Sequence, residues 1–139
     1  RDAQYWPFWS TSGLFTAWIA LSDVSLSSGP VRFISESNKW EDVPGLDFFN
    51  KDLAAQDKIL KEYHGKTKVV NGLLEMGQVS IHSSLTYHSS TANLERDPRI
   101  GMVVHFCTDK AKAIPVDGEN SHYLDQLLDQ EIAPFIYKS

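Results

Sequence analysis

A histidine and an arginine, His88 and Arg99, stand eleven positions apart in the second half of the 139-residue chain. An imidazole nitrogen is a common ligand of transition metals, and the planar guanidinium of arginine holds a carboxylate through two parallel hydrogen bonds. His88 opens the polar run HSSTAN, and a strand, a tight turn and a return strand would bring Arg99 beside it. The pair therefore predicts a site that chelates a 2-oxo acid on a metal ion.

Four further histidines compete for the role of metal ligand: His64, His82, His105 and His122. Alternation along a strand places His82 on the same side as His88 if the strand runs unbroken. His82, however, lacks the Ser-x-x-Asn that follows His88. His64 is interpreted as a residue at a helix C-terminus, where its charged form favours the helix dipole. No motif surrounds the other two.

The sequence around this pair predicts a chain made mostly of short strands. Segments rich in β-branched and aromatic residues alternate with turn residues, as is typical of a jelly roll or a sandwich. Residues 27–29 are predicted to form the hairpin turn between the first two strands. The predicted strands are residues 15–24, 30–35, 67–70, 73–76, 79–83, 85–88 and 100–107.

One inserted helix is predicted over residues 47–64, where four apolar side chains recur at helical spacing on one face. Asp47 is the predicted N-cap, and Gly65 stands where a left-handed C-cap belongs. In the tail, residues 122–137 predict one or two helical turns followed by an extended end. The four apolar residues are Phe49, Leu53, Leu60 and Tyr63.

The composition is that of one ordinary globular domain, with 42% hydrophobic and 22% charged residues and a net charge of −5. The basic residues are scattered, which argues against nucleic acid as a partner. The apolar stretches are too short to span a bilayer. The single cysteine, Cys107, excludes an internal disulfide and favours a reducing, cytoplasmic compartment. The chain opens without Met on the aromatic run 5–9, so we expect a cut edge covered by upstream sequence.

Four segments, taken together and in order, resemble the motifs of the phytanoyl-CoA dioxygenase family of non-haem iron(II), 2-oxoglutarate-dependent oxygenases. The first looks like the continuation of a His-x-Asp motif, so we expect histidine just before Arg1. The chain departs from the family pattern at Gln78, which replaces Asp, and at residues 35–39, where Ser-Glu-Ser-Asn-Lys replaces Pro-Gly-Ser-His-Lys. The four segments are residues 1–6, residues 16–34, residues 77–82 and the stretch from His88 to Arg99.

The resemblance implies a mainly β double-stranded β-helix, of the jelly-roll or cupin type, with the chain as the C-terminal catalytic part of one oxygenase domain. It implies Asp2 and His88 as iron(II) ligands. It also implies that 2-oxoglutarate is held by Arg99, with Ser90 and Trp18 assisting. The implied reaction uses O₂ to hydroxylate an unactivated carbon of a small organic substrate. Asp2 favours hydroxylation over halogenation, because related halogenases lack this carboxylate.

An alternative interpretation is a non-catalytic jelly-roll module that binds a carbohydrate or another small molecule. Such a module needs neither paired metal ligands nor an arginine after the histidine. On the oxygenase interpretation, the chain without the preceding histidine is expected to be inactive, because only Asp2 and His88 remain to hold the ion. The sequence carries no signal for an oligomeric state.

Overall fold

Two three-stranded antiparallel sheets form the framework of the molecule. In this computed structural model, residues 1–4, 6, 9–10, 12–47, 50–115, 118 and 121–137 are described, with residues 121–123 described in the backbone only. The first sheet has the order β4-β1-β6 and the second the order β3-β2-β5. The strands are β1 (Leu14–Ala20), β2 (Val31–Ile34), β3 (Val69–Asn71), β4 (Val79–Ser83), β5 (His88–Ser90) and β6 (Gly101–Cys107).

The central strand β1 is formed by the β-branched and aromatic run LFTAWIA. Its side chains alternate between the two faces of the sheet, and Leu14, Thr16 and Ala20 on one face are buried. Cα pairing sets Thr16 opposite His82 on β4 and opposite His105 on β6. One face of this sheet therefore gathers a hydroxyl and two imidazoles.

The predicted hairpin between the first two strands is wrong. β1 ends at Ala20, and the next strand belongs to the other sheet. The serine-rich connection bonds to itself: the Ser25 hydroxyl accepts from the amides of Ser27 and Ser28, and the Ser28 hydroxyl accepts from the Ser25 amide. These local hydrogen bonds make a wide loop rather than a tight turn. β1 therefore pairs with β4 and β6, which come much later in the chain.

The predicted strand over residues 73–76 is reduced to a single bridge between Val24 and Leu74. The strand predicted over 85–88 lies later, as β5, because residues 84–87 connect the two sheets. The strand predicted over 79–83 is confirmed with the same bounds. The strands predicted over residues 15–24, 30–35, 67–70 and 100–107 are present as β1, β2, β3 and β6, with ends that differ by at most four residues.

The helix α1 spans Leu53–His64 and starts later than predicted. Asp52 is the N-cap, and its Oδ1 accepts the Ala55 amide at 3.0 Å. Asp47 is instead held outside the helix, because its carbonyl accepts from Gln56 Nε2 at 2.8 Å. The predicted C-cap is confirmed: Gly65 has φ 66° and donates its amide to the Lys61 carbonyl.

α1 packs on the second sheet through one buried residue, Leu60, which lies in a cluster with Ile34, Val43 and Tyr87. Tyr63 was predicted on this face but is 56% exposed, and Phe49 lies outside the described residues. His64 ends the helix as predicted, with its ring stacked on Trp40. α1 therefore packs on the second sheet with fewer apolar side chains than the helical spacing in the sequence predicted.

In the tail, helix α2 (Ser121–Leu128) confirms the predicted helical turns, whereas the described residues after it form no strand. From the aromatic run 5–9, only Trp6 and Trp9 are described, and Trp9 bridges to Ala113. No described helix is long and apolar enough to cross a membrane.

Glu36 is the one described non-glycine residue with a left-handed backbone, at φ 63°. In the family motif Pro-Gly-Ser-His-Lys this position is glycine. A residue with a side chain adopts the left-handed conformation at a steric cost that glycine avoids. We expect Glu36→Gly to raise the free energy of unfolding by up to about 1 kcal/mol. Asn38→Gly, in the 3-10 turn Ser37–Lys39, is the control and should lower it. Chemical denaturation measures both, and a destabilised Glu36→Gly would contradict the steric account.

Candidate metal centre

A buried carboxylate, Asp2, lies where the two sheets meet. It occupies the short 3-10 turn Asp2–Gln4 and is 3% exposed. The turn is attached to the connection between β4 and β5, since the Ala3 amide donates to the Ser84 carbonyl at 3.2 Å. That connection joins the strands of His82 and His88, so the same backbone segment positions all three side chains.

The preceding residue, Arg1, fixes the other side of this turn. Its side chain is 3% exposed, and its Nη1 donates to Asp42 Oδ1 at 2.5 Å. The guanidinium also lies over the Tyr87 ring, 4.2 Å from the centroid. Its Nη2 donates to three backbone carbonyls, those of Ser37, Trp40 and Glu41. In the His-x-Asp motif Arg1 is only the variable position, so no signal in the sequence indicated this structural role.

We expect Arg1→Ala in the complete natural chain to destabilise the fold, because buried carbonyls lose their donors at about 1–3 kcal/mol each. Metal affinity should fall as well, since the turn that carries Asp2 loosens. Arg1→Lys is the matched control. Lysine keeps the positive charge but not the planar guanidinium with its several N–H donors, so this variant should recover only part of the stability. Denaturant titration and metal titration measure the two effects, and wild-type stability in the alanine variant would contradict this role.

The carboxylate of Asp2 lies between two imidazoles that come from different sheets. Its Oδ1 is 3.3 Å from His88 Nε2, and its Oδ2 is 3.5 Å from His82 Nε2. The His82 and His88 ring centroids are 4.7 Å apart. One potential ligand atom from each of the three residues lies within 4.8 Å of the others. The predicted residues Asp2 and His88 are therefore brought together, and His82 joins them.

Thr16 connects Asp2 to a second layer of contacts. Its hydroxyl donates to Asp2 Oδ2 at 2.5 Å and lies 3.0 Å from His105 Nδ1. Because a hydroxyl has one hydrogen, His105 donates through Nδ1. The Trp6 ring meets the His105 ring edge-on at 4.2 Å. Partial burial lowers the pKa of His105, outweighing the nearby Asp2 charge, so this imidazole is neutral at pH 7.

Asp2 is held in its charged form. Burial alone would raise the pKa of its carboxyl, but contacts with His82 and His88 and the hydrogen bond from Thr16 outweigh burial. The pKa of Asp2 is therefore well below its usual range, and the carboxylate is an anion throughout the neutral range. An anion beside two imidazoles is suited to a divalent cation.

His88 has the orientation of a metal ligand. Its Nδ1 lies 2.9 Å from the Thr86 carbonyl oxygen, which accepts the ring N–H. This bond leaves the lone pair on Nε2, the nitrogen that faces Asp2. Metal-bound histidines commonly donate their second nitrogen to a carbonyl in this way. The Phe33 ring packs beside both histidines, 5.0 Å from His82 and 6.2 Å from His88, and forms an apolar wall.

These residues fit a six-coordinate divalent ion. Ligand atoms about 2.1 Å from one ion and at right angles to each other lie roughly 3 Å apart, close to the distances of 3.3 and 3.5 Å to the Asp2 oxygens. Neither ring nitrogen of the largely buried His82 has a hydrogen-bond partner among the described residues. Two imidazoles and one carboxylate are also the donor set of non-haem iron(II) oxygenases.

Arg99 and Trp18, both predicted to bind the cosubstrate, lie together. The Arg99 guanidinium carbon is 5.1 Å from the centre of the Trp18 ring. Trp18 shares the inner face of β1 with Thr16. The predicted hairpin that would pair Arg99 with His88 is wrong, because β5 and β6 belong to different sheets. Arg99 lies just before β6, on the sheet that carries His82.

Ser90, the remaining predicted cosubstrate residue, ends β5 opposite Val31 and is exposed. Asp23 lies in a turn outside the cluster around Asp2, where its Oδ1 accepts the Met76 amide at 2.8 Å. Arg32 Nη2 donates to Ser89 Oγ and lies 3.7 Å from Asp57 Oδ2. The Arg32 side chain therefore lies on the outer face of the second sheet, the face that α1 covers.

The close approach of Trp18 to Gly101 offers a test of this arrangement. A Cβ at Gly101 would lie 2.1 Å from Trp18 Cζ2, so the indole cannot keep its place. We expect Gly101→Ala to cost about 1–3 kcal/mol by overpacking and to displace the ring under Arg99. Gly72→Ala, where the nearest atoms are 3.2 Å away, is the control and should cost less. Equal stabilities of the two variants would overturn this packing.

Comparison with known proteins assigns the fold class and the family. The two facing sheets form a double-stranded β-helix, which confirms the predicted fold. The profile of the phytanoyl-CoA dioxygenase family (PhyH) matches residues 1–101. The chain therefore belongs to this family, whose members use iron(II) and 2-oxoglutarate. No curated protein matched the chain.

Solved structures of related fold are 2-oxoglutarate-dependent and other non-haem enzymes. The chain is 24% identical to the carbocyclase SnoK of nogalamycin biosynthesis (TM-score 0.58, 79% of this chain and 42% of that one). It is 24% identical to the epimerase SnoN with Fe³⁺, α-ketoglutarate and nogalamycin RO (TM-score 0.60, 95% and 46%). It is 21% identical to the non-haem monooxygenase ThoJ with nickel (TM-score 0.55, 81% and 38%). The chain thus spans less than half the length of these proteins.

Proposed function

We propose that the complete protein is an iron(II)- and 2-oxoglutarate-dependent dioxygenase that hydroxylates an unactivated carbon of a small organic substrate. The observation that carries the proposal is the meeting of Asp2 with histidines from both sheets, within 4.8 Å of one another. Asp2 and His88 hold the metal. When bound, iron(II) activates O₂ at the expense of 2-oxoglutarate, which leaves as succinate and carbon dioxide.

The protein residues position and protect the reactants. Thr16 orients the Asp2 carboxylate through a 2.5 Å hydrogen bond, and the Thr86 carbonyl orients the His88 ring. The Phe33 ring excludes water from one side of both histidines. These contacts keep the donor atoms of the three side chains facing a common space.

Arg99 binds the far carboxylate of 2-oxoglutarate. Its guanidinium lies over the Trp18 ring, which holds the fork in one plane and leaves its N–H groups to pair with an anion. The Ser90 hydroxyl, at the end of β5, assists in binding the same cosubstrate. Arg99 lies beside the sheet of His82 and Ser90 on the sheet of His88, which supports a proposed 2-oxoglutarate site between the two sheets.

Hydroxylation is the reaction that retained Asp2 favours, because the carboxylate occupies a metal position that a halide would need. SnoK is a carbocyclase and SnoN an epimerase, so analysis of the product distinguishes hydroxylation from these two reactions. Substrates of this protein are small molecules, in keeping with the small-molecule complex of SnoN.

Cosubstrate binding tests the proposed function. Calorimetric titration of 2-oxoglutarate into the complete natural chain, with and without iron(II) under anaerobic conditions, should give tight binding only in the presence of iron. Under air, succinate should form. A non-catalytic binding module would show neither iron-dependent binding nor succinate, and that pair of results would overturn the proposal.

A further inference from the structure

A cavity of about 390 Å³ lies between α1 and the second sheet. Four residues of α1 at helical spacing border it, and of these only Leu60 is buried. The helix therefore packs on the sheet through its second half, whereas its first turns face the cavity. A space of this size is in the range of small-molecule sites in proteins. The four residues are Leu53, Gln56, Asp57 and Leu60.

Arg32 reaches this cavity from the face of the second sheet that is turned away from the metal centre. On β2 the Phe33 ring packs beside His88, so the neighbouring Arg32 side chain points to the opposite face. On β5, Ser89 accepts a hydrogen bond from Arg32. His88 also borders the cavity, but its Nε2 faces Asp2. A ligand in the cavity would therefore meet Arg32 and α1 rather than the metal-binding atoms.

The Arg32 guanidinium is only partly paired. The side chain is 24% exposed, and its buried Nε has no hydrogen-bond partner among the described residues. Nη2 donates to Ser89 Oγ at 3.1 Å, whereas the Asp57 carboxylate, at 3.7 Å, lies beyond hydrogen-bond distance. The Nε of Arg1, which borders the same cavity, is likewise buried and unpaired in the part of the chain that the structure describes. Because buried N–H groups are nearly always paired, these two donors point to an acceptor supplied by a ligand.

The other residues around the cavity decide which acceptor fits. A guanidinium binds a carboxylate through parallel N–H bonds. Asp47 and Asp57 also border the cavity and would repel a second negative charge, so a monoanion fits better than a phosphate or a dicarboxylate. Apolar side chains form another part of the wall and suit a short hydrocarbon chain. They are Ile34, Leu46, Leu53 and Leu60.

We propose that this cavity binds a small monocarboxylate with a short apolar chain, and that Arg32 holds the carboxylate while α1 covers the chain. Such a ligand differs from 2-oxoglutarate, which carries two carboxylates and is proposed to bind Arg99. The site does not depend on the proposed function, because neither Arg32 nor α1 belongs to the cluster around Asp2.

Calorimetric titration of hexanoate into the complete natural chain, in the absence of metal, tests this site. Hexanoate should bind, and hexanol, which has the same chain without the charge, should bind at least roughly 10-fold more weakly. In amide NMR spectra, hexanoate should shift the resonances of Leu53, Gln56 and Asp57. Arg32→Met should weaken hexanoate binding by at least roughly 10-fold, because methionine keeps an apolar side chain but removes the charged donors.

Further variants separate this cavity from other places where a carboxylate could bind. Lys58→Met removes a cation from the exposed side of the same helix, and Arg99→Leu removes the proposed contact to 2-oxoglutarate. Neither should change the affinity for hexanoate. Leu53→Trp should block binding by filling the cavity while Arg32 is retained, and it gives a second readout should Arg32→Met fold poorly.

Four results would overturn the proposal. They are absence of hexanoate binding in the wild type, equal affinity for hexanol, unchanged affinity in both Arg32→Met and Leu53→Trp, and loss of affinity in Arg99→Leu. The last result would move the carboxylate to the proposed cosubstrate site. None of them bears on iron-dependent binding of 2-oxoglutarate, so failure of this proposal and failure of the proposed function are distinguishable.

Discussion

Asp2→Asn in the complete natural chain should reduce 2-oxoglutarate turnover by more than roughly 100-fold. Asparagine keeps the shape and the acceptor oxygen for the Thr16 hydroxyl, but it removes the negative charge that lies between the two imidazoles. Loss of a residue that merely supports a metal ligand typically costs 10–100-fold in affinity or activity, so loss of the charged ligand itself should exceed that range. Succinate formation and Co(II) titration measure the effect.

The control for this variant is Asp109→Asn, an exposed carboxylate in the turn after β6. It should retain wild-type turnover. Circular dichroism of the metal-free Asp2→Asn variant should match the wild type, because the Thr16 bond is preserved. Turnover above roughly one tenth of wild type in a folded Asp2→Asn variant would remove Asp2 from the set of metal ligands.

Arg99→Leu should weaken the apparent affinity for 2-oxoglutarate by roughly 10- to 100-fold while leaving Co(II) affinity unchanged. A charge-assisted pair between guanidinium and carboxylate contributes about 1.5–3 kcal/mol, and each 1.4 kcal/mol corresponds to tenfold in affinity. The metal should be unaffected, because Arg99 contacts the Trp18 ring and belongs to no part of the Asp2, His82 and His88 cluster.

Arg96→Leu is the matched control, since Arg96 is an exposed arginine in the same loop. It should bind 2-oxoglutarate as the wild type does. Arg99→Lys should recover only part of the affinity, because an ammonium cannot make two parallel hydrogen bonds. An unchanged affinity in Arg99→Leu would transfer the role to Arg96 or to Arg32, which lies against Ser89.

Local pattern was sufficient to predict the elements whose signal is short-range. β4 was predicted with the bounds that the structure has, and the C-cap Gly65 was placed correctly, because strand alternation and a positive φ are properties of a few consecutive residues. The predicted start of α1 was wrong, because Asp47 and Asp52 are both plausible N-caps in sequence, and in the structure Asp52 caps the helix while the Gln56 side chain bonds to the Asp47 backbone. The position of the N-cap therefore depends on the contact of Asp47 with Gln56, a residue nine positions further along the chain.

Pairing between strands could not be predicted from the same pattern. Alternation gives the face of a residue, but it does not state which strands share a sheet, and loop closure over long separations carries little sequence signature. For this reason β1 was paired with the nearest strand, whereas its partners are residues 79–83 and 101–107. The same limitation produced the incorrect adjacency of His88 and Arg99.

The sequence by itself determined which residue types are present and in what order: Asp2, then His88, then Arg99, in the motif order of the family. Only the tertiary structure decided that His82 also lies beside Asp2, and that the Arg1 guanidinium fixes the turn carrying this carboxylate. The physical reason is that a metal site is defined by donor atoms a few ångströms apart in space, and these donors come from two sheets. No local pattern encodes the distance between side chains separated by eighty residues of chain.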